Sequence, residues 1–128
     1  MYTSTWRYAR ISPRKARLLT DLIRGKSVQE ALSVLSFSKK RAAIMVAKVL
    51  KTAIANADEG GADVADLYVS ATYCDGGPII KRFMPKDRGK SYAIMKRTSH
   101  ITVTVDEGAA KVKEAKAGKK RSKAAKAA

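Results

Sequence analysis

The chain has 128 residues, enough for one domain with a modest core, and its charge is strongly unbalanced. It carries 27 Lys and Arg against 11 Asp and Glu, a formal net charge of +16. Self-repulsion of this size weakens a compact state unless a polyanion neutralises it, and nucleic acid is the first candidate partner. A single cysteine excludes an internal disulfide, and no apolar run reaches membrane-spanning length. We therefore expect a cytoplasmic protein.

A strand and a basic helix are predicted for the first part of the chain. Residues 3–11, TSTWRYARI, are typical of a strand that carries Trp6 and Tyr8 on one face. These two aromatic rings either stack on bases or cover the sheet edge. Ser12-Pro13 then starts a helix that Gly25 ends. Its apolar residues repeat at helical spacing, and its opposite, solvated face is predicted to be formed by Arg14, Arg17, Asp21 and Arg24.

Two further helices are predicted next. Ser27 begins a capping box, S-x-x-E, at the start of a short helix. Ser38 is predicted to cap a third helix, which Gly60-Gly61 ends. This helix is the longest and most apolar, so it should form the centre of the core with Ile44 or Met45, Val46, Val49, Leu50, Ala53, Ile54 and Ala57.

In the second half of the chain, the sequence predicts two strands joined by a long basic segment. Residues 67–74 and 99–105 alternate between apolar and polar. Residues 79–98 between them carry seven Lys or Arg and one acid, Asp87, and show no clean period. A turn cluster, residues 85–89, folds the segment back. Each strand of the hairpin has about ten residues and, at roughly 3.3 Å per residue, would extend about 30 Å. Because this length exceeds the domain radius of roughly 13–14 Å, the hairpin over 77–100 must protrude from the domain.

These elements predict an α+β fold, with three helices packed on a small three-stranded antiparallel sheet within residues 1–108. Gly76-Gly77-Pro78 is interpreted as a turn before the hairpin, for which a disordered basic loop is the alternative. Residues 109–128, rich in Lys and Ala, predict a basic disordered tail. The charge is expected to form a basic face and an acidic rim, with the rim formed by Asp58, Glu59, Asp63, Asp66 and Asp75.

The sequence offers no pattern for enzyme chemistry. His100 and Cys74 are the only residues of their types, and no metal-ligand cluster, nucleophile–base pair or phosphate-binding glycine loop is present. Cys74 is interpreted as an ordinary structural residue. His100 is interpreted as a phosphate or base contact or as a plain solvated side chain. We expect no catalysis, no cofactor and no metal.

Three stretches of sequence carry a family resemblance. They are RYARISPRKARLLTDLIRGKSVQEAL at 7–32, KVLKTAIANA at 48–57, and GPIIKRFMPKDRGK with KRTSHITV between 77 and 103. Together they resemble the bacterial members of the universal family of large-subunit ribosomal protein twenty-two, from about Arg7 to Val105. Asp87 and Tyr92 depart from the family pattern near the hairpin tip.

The resemblance implies a structural constituent of the large ribosomal subunit that binds 23S-type rRNA and aids assembly by bridging rRNA domains. It also implies that the hairpin lines the exit tunnel, beside the nascent chain and opposite ribosomal protein four of the large subunit. Neither a membrane nor a homo-oligomer is expected. The implied rRNA-binding residues are Arg7, Arg10, Arg14, Lys15, Arg17, Arg24, Lys26, Lys81, Arg82, Lys86, Arg88, Lys90, Lys96, Arg97 and His100. The implied tunnel residues are Ile80, Lys81, Arg82, Pro85, Lys86, Arg88, Gly89, Lys90 and Ser91.

The main alternative is a DNA-architectural protein whose β-arm wedges an apolar or proline tip between base steps. Pro85 fits that interpretation. The many charges along the arm and the lack of an obvious dimer seam argue against it. A membrane-surface peptide built on the tail is also disfavoured, because the tail has no apolar face.

Overall fold

A computed structural model describes residues 1–108, and the predicted α+β fold is confirmed there. The sheet has the order β1-β3-β2 and is formed by β1 (Tyr2–Ala9), β2 (Leu67–Pro85) and β3 (Ser91–Glu107). The helices are α1 (Pro13–Ile23), α2 (Val28–Phe37) and α3 (Arg41–Glu59), and a 3₁₀ turn spans Val64–Asp66. The predicted tail, 109–128, lies outside the described residues.

The core lies between α3 and the inner face of the central strand, β3. Ile101, Val103 and Val105 of β3 are fully buried because alternate residues of a strand point to the same face. Opposite them, α3 presents a buried apolar stripe formed by Ala42, Ala43, Val46, Val49, Leu50, Ala53 and Ala57. Of the two predicted alternatives, Met45 is half-buried and Ile44 is exposed.

The helix ends follow the sequence with one exception. Ser12 occupies the N-cap of α1, and Gly25 ends that helix at φ +73°. The Ser27 hydroxyl accepts a 3.3 Å hydrogen bond from the backbone N–H of Glu30, as a capping residue does. The prediction for Ser38 is wrong. Its N–H donates to Leu35, so Ser38 ends α2, and Lys40 takes the N-cap of α3 without a side-chain cap bond.

A β-bulge in β1 separates the two aromatic residues that the sequence placed on one face. Trp6 pairs with Ile101, but the two residues that follow it, Arg7 and Tyr8, together oppose the single residue His100. Tyr8 has φ +57°, and the extra residue inverts the alternation. Trp6 is therefore half-buried on the helix side, whereas the Tyr8 side chain is 60% exposed.

The predicted turn at Gly76-Gly77-Pro78 is also wrong, because these residues lie within β2, which forms a β-bulge at Gly77 and Pro78. Gly77 and Pro78 oppose one residue, Thr98, whose hydroxyl donates a 2.6 Å hydrogen bond to the Pro78 carbonyl. A Cβ on Gly77 would lie 2.5 Å from that hydroxyl, so the close approach requires glycine. Pro78 is tolerated here because proline has no N–H to donate to the hydrogen-bond ladder, and a bulge residue does not need to donate one.

Beyond this bulge, β2 and β3 continue as the predicted hairpin. We call residues 79–97 the arm and the other described residues the body. The arm pairs from Ile79–Arg97 to Pro85–Ser91, a ladder of about 20 Å at roughly 3.3 Å per residue. At its tip, the Lys90 N–H donates to the Asp87 carbonyl, and Arg88 and Gly89 both have positive φ, as in a type I′ hairpin turn.

Candidate nucleic-acid interface

A basic groove lies where the arm joins the body. Its walls come from the connection between β1 and α1, from the first residue of α3 and from the base of β3. The lining residues are Arg10, Ile11, Ser12, Lys15, Arg41, Met95, Lys96 and Arg97. Five of them are cations and none is acidic, so the groove concentrates positive potential in one concave surface.

Local packing directs these cations outward. Ile11 and Ala16 are buried in the core, which leaves their neighbours Arg10 and Lys15 exposed at the groove. Within residues 1–108, Arg10, Lys15, Arg41 and Lys96 take part in no ion pair. The guanidinium groups therefore keep their donors available for phosphate oxygens, which they bind in a bidentate manner.

The charges at the ends of α3 are the reverse of what its dipole favours. Lys40 and Arg41 begin the helix with no acidic residue in its first turn, while Asp58 and Glu59 lie at its last turn. A helix dipole favours anions at the N-terminus and cations at the C-terminus, by about 0.3–1 kcal/mol each. The first turn of α3 is thus electrostatically suited to an external anion, and it adjoins the groove.

The predicted acidic rim is only partly correct. Four of its members lie at the far end of α3 and in the turn that follows: Asp58, Glu59, Asp63 and Asp66. This end is about 28 Å from the groove, at 1.5 Å per helical residue. Asp75 is separate, because it lies on β2 opposite His100.

Neither face of the arm is apolar. Residues directly opposite each other in an antiparallel pair share a face, and here each face mixes cations with large apolar side chains. One face carries Ile80, Arg82, Met84, Tyr92, Ile94 and Lys96, and the other carries Ile79, Lys81, Phe83, Ala93, Met95 and Arg97. Only Ile80 and Ile94 are even half-buried. The absence of a hydrophobic period in this stretch therefore reflects a hairpin that buries neither face on the body.

Two arginines of the predicted solvated helix face contact the sheet. Arg17 Nε donates to the Cys74 carbonyl at 3.0 Å, and Arg24 Nη2 donates to the Thr72 carbonyl at 2.6 Å. Arg24 also forms an ion pair with Asp21 at 2.9 Å. Since β2 is an edge strand, these guanidinium groups satisfy carbonyls that would otherwise be unpaired. Both arginines thus stabilise the fold.

Arg14 and Lys26 differ from this pair. Arg14 is exposed, and the part of the chain that the structure describes gives it no hydrogen bond or ion pair. Lys26 uses its backbone, because its carbonyl accepts from the Val69 N–H at 2.9 Å and so extends the protection of the β2 edge. Its side chain is not used in that contact.

His100 lies on the outer face of the sheet, away from the helices. Its Nδ1 accepts a 3.0 Å hydrogen bond from the Tyr8 N–H, so the proton of the neutral ring is on Nε2. The Tyr8 and His100 rings meet edge to face, with centroids 4.9 Å apart. Arg7, Tyr73 and Asp75 line the same depression.

Comparison with known proteins decides the family. The profile of the family described as Ribosomal protein L22p/L17e matches residues 4–106. The chain belongs to this family. A relative, Large ribosomal subunit protein uL22 of Clostridium novyi (strain NT), is 50% identical over 104 residues, which are 80% of this chain and 94% of the relative. The predicted resemblance is confirmed.

Membership in the L22p/L17e family makes the chain a structural component of the large subunit of the cytoplasmic ribosome, and the family is not an enzyme family. Residues 1–108 include no group of three or more His, Cys, Asp or Glu that could hold a metal ion. Over the same residues, no helix is long and apolar enough to cross a membrane.

Cys74 lies in the core of this family member. Burial raises the pKa of its thiol, and the Ser99 hydroxyl and the Arg17 guanidinium oppose that shift. The thiol is thus a packed, protonated side chain near neutral pH.

Three residues of the interface were missed by sequence reasoning. Arg41 lines the groove, and the run Lys39-Lys40-Arg41 before a helix that lacks N-terminal acids was the signal for it. Tyr73 and Asp75 line the outer depression, and their alternation with Cys74 could have placed them on the face opposite the core. In contrast, Trp6 covers the sheet edge beneath Lys48, whose Nζ is 5.9 Å from the ring centroid.

Proposed function

We propose that the chain binds 23S-type rRNA of the large subunit through the groove and the arm, and that it bridges rRNA domains during assembly. One observation carries this proposal. The arm continues the body sheet as a regular ladder and yet buries neither face, while its cations are exposed. An arm of this kind requires a partner that supplies both negative charge and apolar contacts, and RNA offers both.

The groove supplies the anchor on the body. Five cations, Arg10, Lys15, Arg41, Lys96 and Arg97, surround this concave surface, where they would contact the RNA backbone. A-form RNA exposes few base edges to side chains, so phosphates, 2′-hydroxyls and shape are what such a groove would recognise. Recognition by the body is accordingly of shape and charge.

The arm adds the second half of the proposed function. Its exposed cations Lys81 and Arg82 lie on β2, and Lys86, Arg88 and Lys90 lie in the turn at the tip. There they would neutralise phosphates of a second rRNA segment. The family resemblance further supports a tip that lines the polypeptide exit tunnel, opposite ribosomal protein four and beside the nascent chain. The small residues Gly89 and Ser91 keep the tip narrow.

A shortened arm tests this division of labour. Replacing residues 81–95 by Asn-Gly keeps the Ile80–Lys96 pair and all five cations of the groove but removes five other cations of the arm. We expect the variant still to bind protein-free large-subunit rRNA in filter-binding assays. The slope of log K against log[KCl] should fall by up to about four, at roughly 0.7–0.9 per lost phosphate contact. The variant should also still appear in purified large subunits.

The outcomes separate the candidates. Loss of all rRNA binding, or absence from the subunits, would show that the body is not an independent anchor. If the intact chain bound random duplex DNA as tightly as rRNA at the same salt concentration, the DNA-architectural alternative would be favoured instead.

A further inference from the structure

Within residues 1–108, no helix covers the outer face of the sheet, which changes character along its length. The inner face is covered by the three helices. On the outer face, hydroxyl pairs Thr3–Thr104 (3.1 Å) and Thr5–Thr102 (3.2 Å) lie at one end. Towards the arm, the same face carries a cluster of rings: Tyr8, Tyr73 and His100. This ring cluster is a feature that phosphate binding leaves unexplained.

Tyr8 is held in an unfavourable backbone conformation that points its ring at this cluster. Its φ of +57° is one that bulky residues rarely adopt, and Gly or Asn would occupy it more easily. Two contacts with His100 fix the residue there, one from the backbone N–H and one from the ring edge. The Tyr8 side chain is nonetheless 60% exposed, so a flat surface is pre-positioned and left uncovered.

The surroundings of the rings provide complementary polar groups. Tyr73 is 49% exposed on β2, which pairs with the strand that carries His100, and Arg7 and Asp75 complete the same depression. Arginine suits a phosphate, and a carboxylate accepts hydrogen bonds from base amino or imino groups. A depression with aromatic faces, one cation and one anion thus matches the parts of a single nucleotide.

We propose that this depression, formed by Arg7, Tyr8, Tyr73, Asp75 and His100, holds one unpaired nucleobase of the rRNA. The base stacks on a tyrosine ring, Asp75 accepts a hydrogen bond from its edge, and Arg7 contacts the adjoining phosphate. Unpaired bases in loops and bulges can reach such a surface, whereas bases in an A-form helix cannot. The proposal rests on the proposed rRNA binding and deepens it, since it adds a base-reading element to a protein otherwise built for phosphates.

Stacking and charge contacts respond differently to salt, which provides the test. In filter-binding assays with protein-free large-subunit rRNA over a KCl series, Tyr8→Leu should weaken binding about 5- to 150-fold, the range for loss of one base stack. Its salt slope should be unchanged, because no charge is lost. Tyr8→Phe keeps the ring and should stay within about twofold of the native chain. Arg7→Ala should instead lower the slope by slightly less than one.

Phe37→Leu is the matched control, since Phe37 is an exposed aromatic residue, 88% exposed, at the end of α2 and outside the depression. It should leave affinity unchanged. Ultraviolet cross-linking followed by mass spectrometry supplies a direct measurement, with a nucleotide adduct expected on Tyr8 or Tyr73 and none on Phe37. Circular dichroism of each variant checks that the fold is intact.

The inference is overturned if folded Tyr8→Leu binds as tightly as the native chain, or if adducts form without either tyrosine. It is also overturned if Tyr8→Phe is as weak as Tyr8→Leu, since the ring would then be irrelevant. Failure of the native chain itself to bind rRNA would contradict the proposed function, which is a distinguishable result.

Discussion

The body and the arm share one pair of strands, β2 and β3, which are stabilised differently in the two regions. In the body, β3 alternates strictly, so that Ile101, Val103 and Val105 are buried against helices. In the arm, the same strand continues with every side chain from Ser91 to Arg97 exposed except the half-buried Ile94. Backbone pairing is therefore sufficient to continue the ladder, but only the body gains the free energy of apolar burial.

This difference separates side chains that stabilise the fold from side chains that are available to a partner. Side chains that hold the fold together are committed to contacts within the body, including cations such as Arg17 and Arg24. Side chains of the arm are exposed, apart from the half-buried Ile80 and Ile94. One contact lies within the arm itself, near the tip, where Lys86 Nζ is 5.4 Å from the Tyr92 ring centroid. The arm is accordingly free to match a partner surface.

The largest expected change in stability comes from a contrast between one residue of the body and one residue of the arm. Ile101→Ala should lower the free energy of unfolding by about 2–5 kcal/mol, because it removes a fully buried side chain and leaves a cavity. Phe83→Ala in the arm should change it by less than about 0.5 kcal/mol, because that side chain is 73% exposed. Urea denaturation followed by circular dichroism measures both. Comparable losses would show that the arm packs on the body in solution.

The bulge between the body and the arm should give a smaller change in the free energy of unfolding. Gly77→Ala should destabilise the protein by about 1–3 kcal/mol, because the new Cβ would lie 2.5 Å from the Thr98 hydroxyl and 3.2 Å from its carbonyl carbon. Its neighbour is the matched control. A Cβ on Gly76 meets only the Pro13 ring, at 3.9 Å, so Gly76→Ala should stay within about 0.5 kcal/mol. Equal effects in thermal melts would argue that the bulge is not tight.

The smallest effect concerns the first turn of α3, which adjoins the proposed rRNA-binding groove. Lys40→Asp should stabilise the free protein by about 1 kcal/mol, because aspartate both caps α3 and suits its dipole. The same change should weaken binding to protein-free large-subunit rRNA. Lys40→Ala separates the two effects, since it removes the charge without supplying a cap. A variant that becomes more stable and binds as before would contradict the assignment of α3's first turn to the interface.

Much of the fold could be predicted from the sequence because local signals agreed with tertiary packing. The long stripe of α3 and the alternation of residues 99–105 gave the core, and the turn cluster at 85–89 gave the hairpin tip. The bulges at Arg7–Tyr8 and at Gly77–Pro78 were missed. Each depends on register between distant strands, which sets how many residues oppose Thr98 or His100 and is not encoded in either strand alone.

The candidate interface could be predicted in charge but not in arrangement. Composition indicated that the arginines of α1 were available to a partner, yet Arg17 and Arg24 lie against an edge strand whose order in the sheet only the fold reveals. Conversely, Arg41 joins Lys96 at the groove although 55 positions of sequence separate them, and no local pattern brings them together. The rRNA contacts of individual residues remain predictions.

The ladder of the arm also constrains how its length can vary among related chains. Because residues pair one to one from Ile79–Arg97 to Pro85–Ser91, a change of length must remove or add a residue on both strands to keep the register. Adding or removing one pair of residues would turn the tip to the opposite face of the hairpin, since successive side chains of a strand alternate. Adding or removing two pairs would restore the orientation of the tip. Insertions and deletions in the arm should therefore accumulate in multiples of four residues, with the bulge at Gly77 as their inner limit.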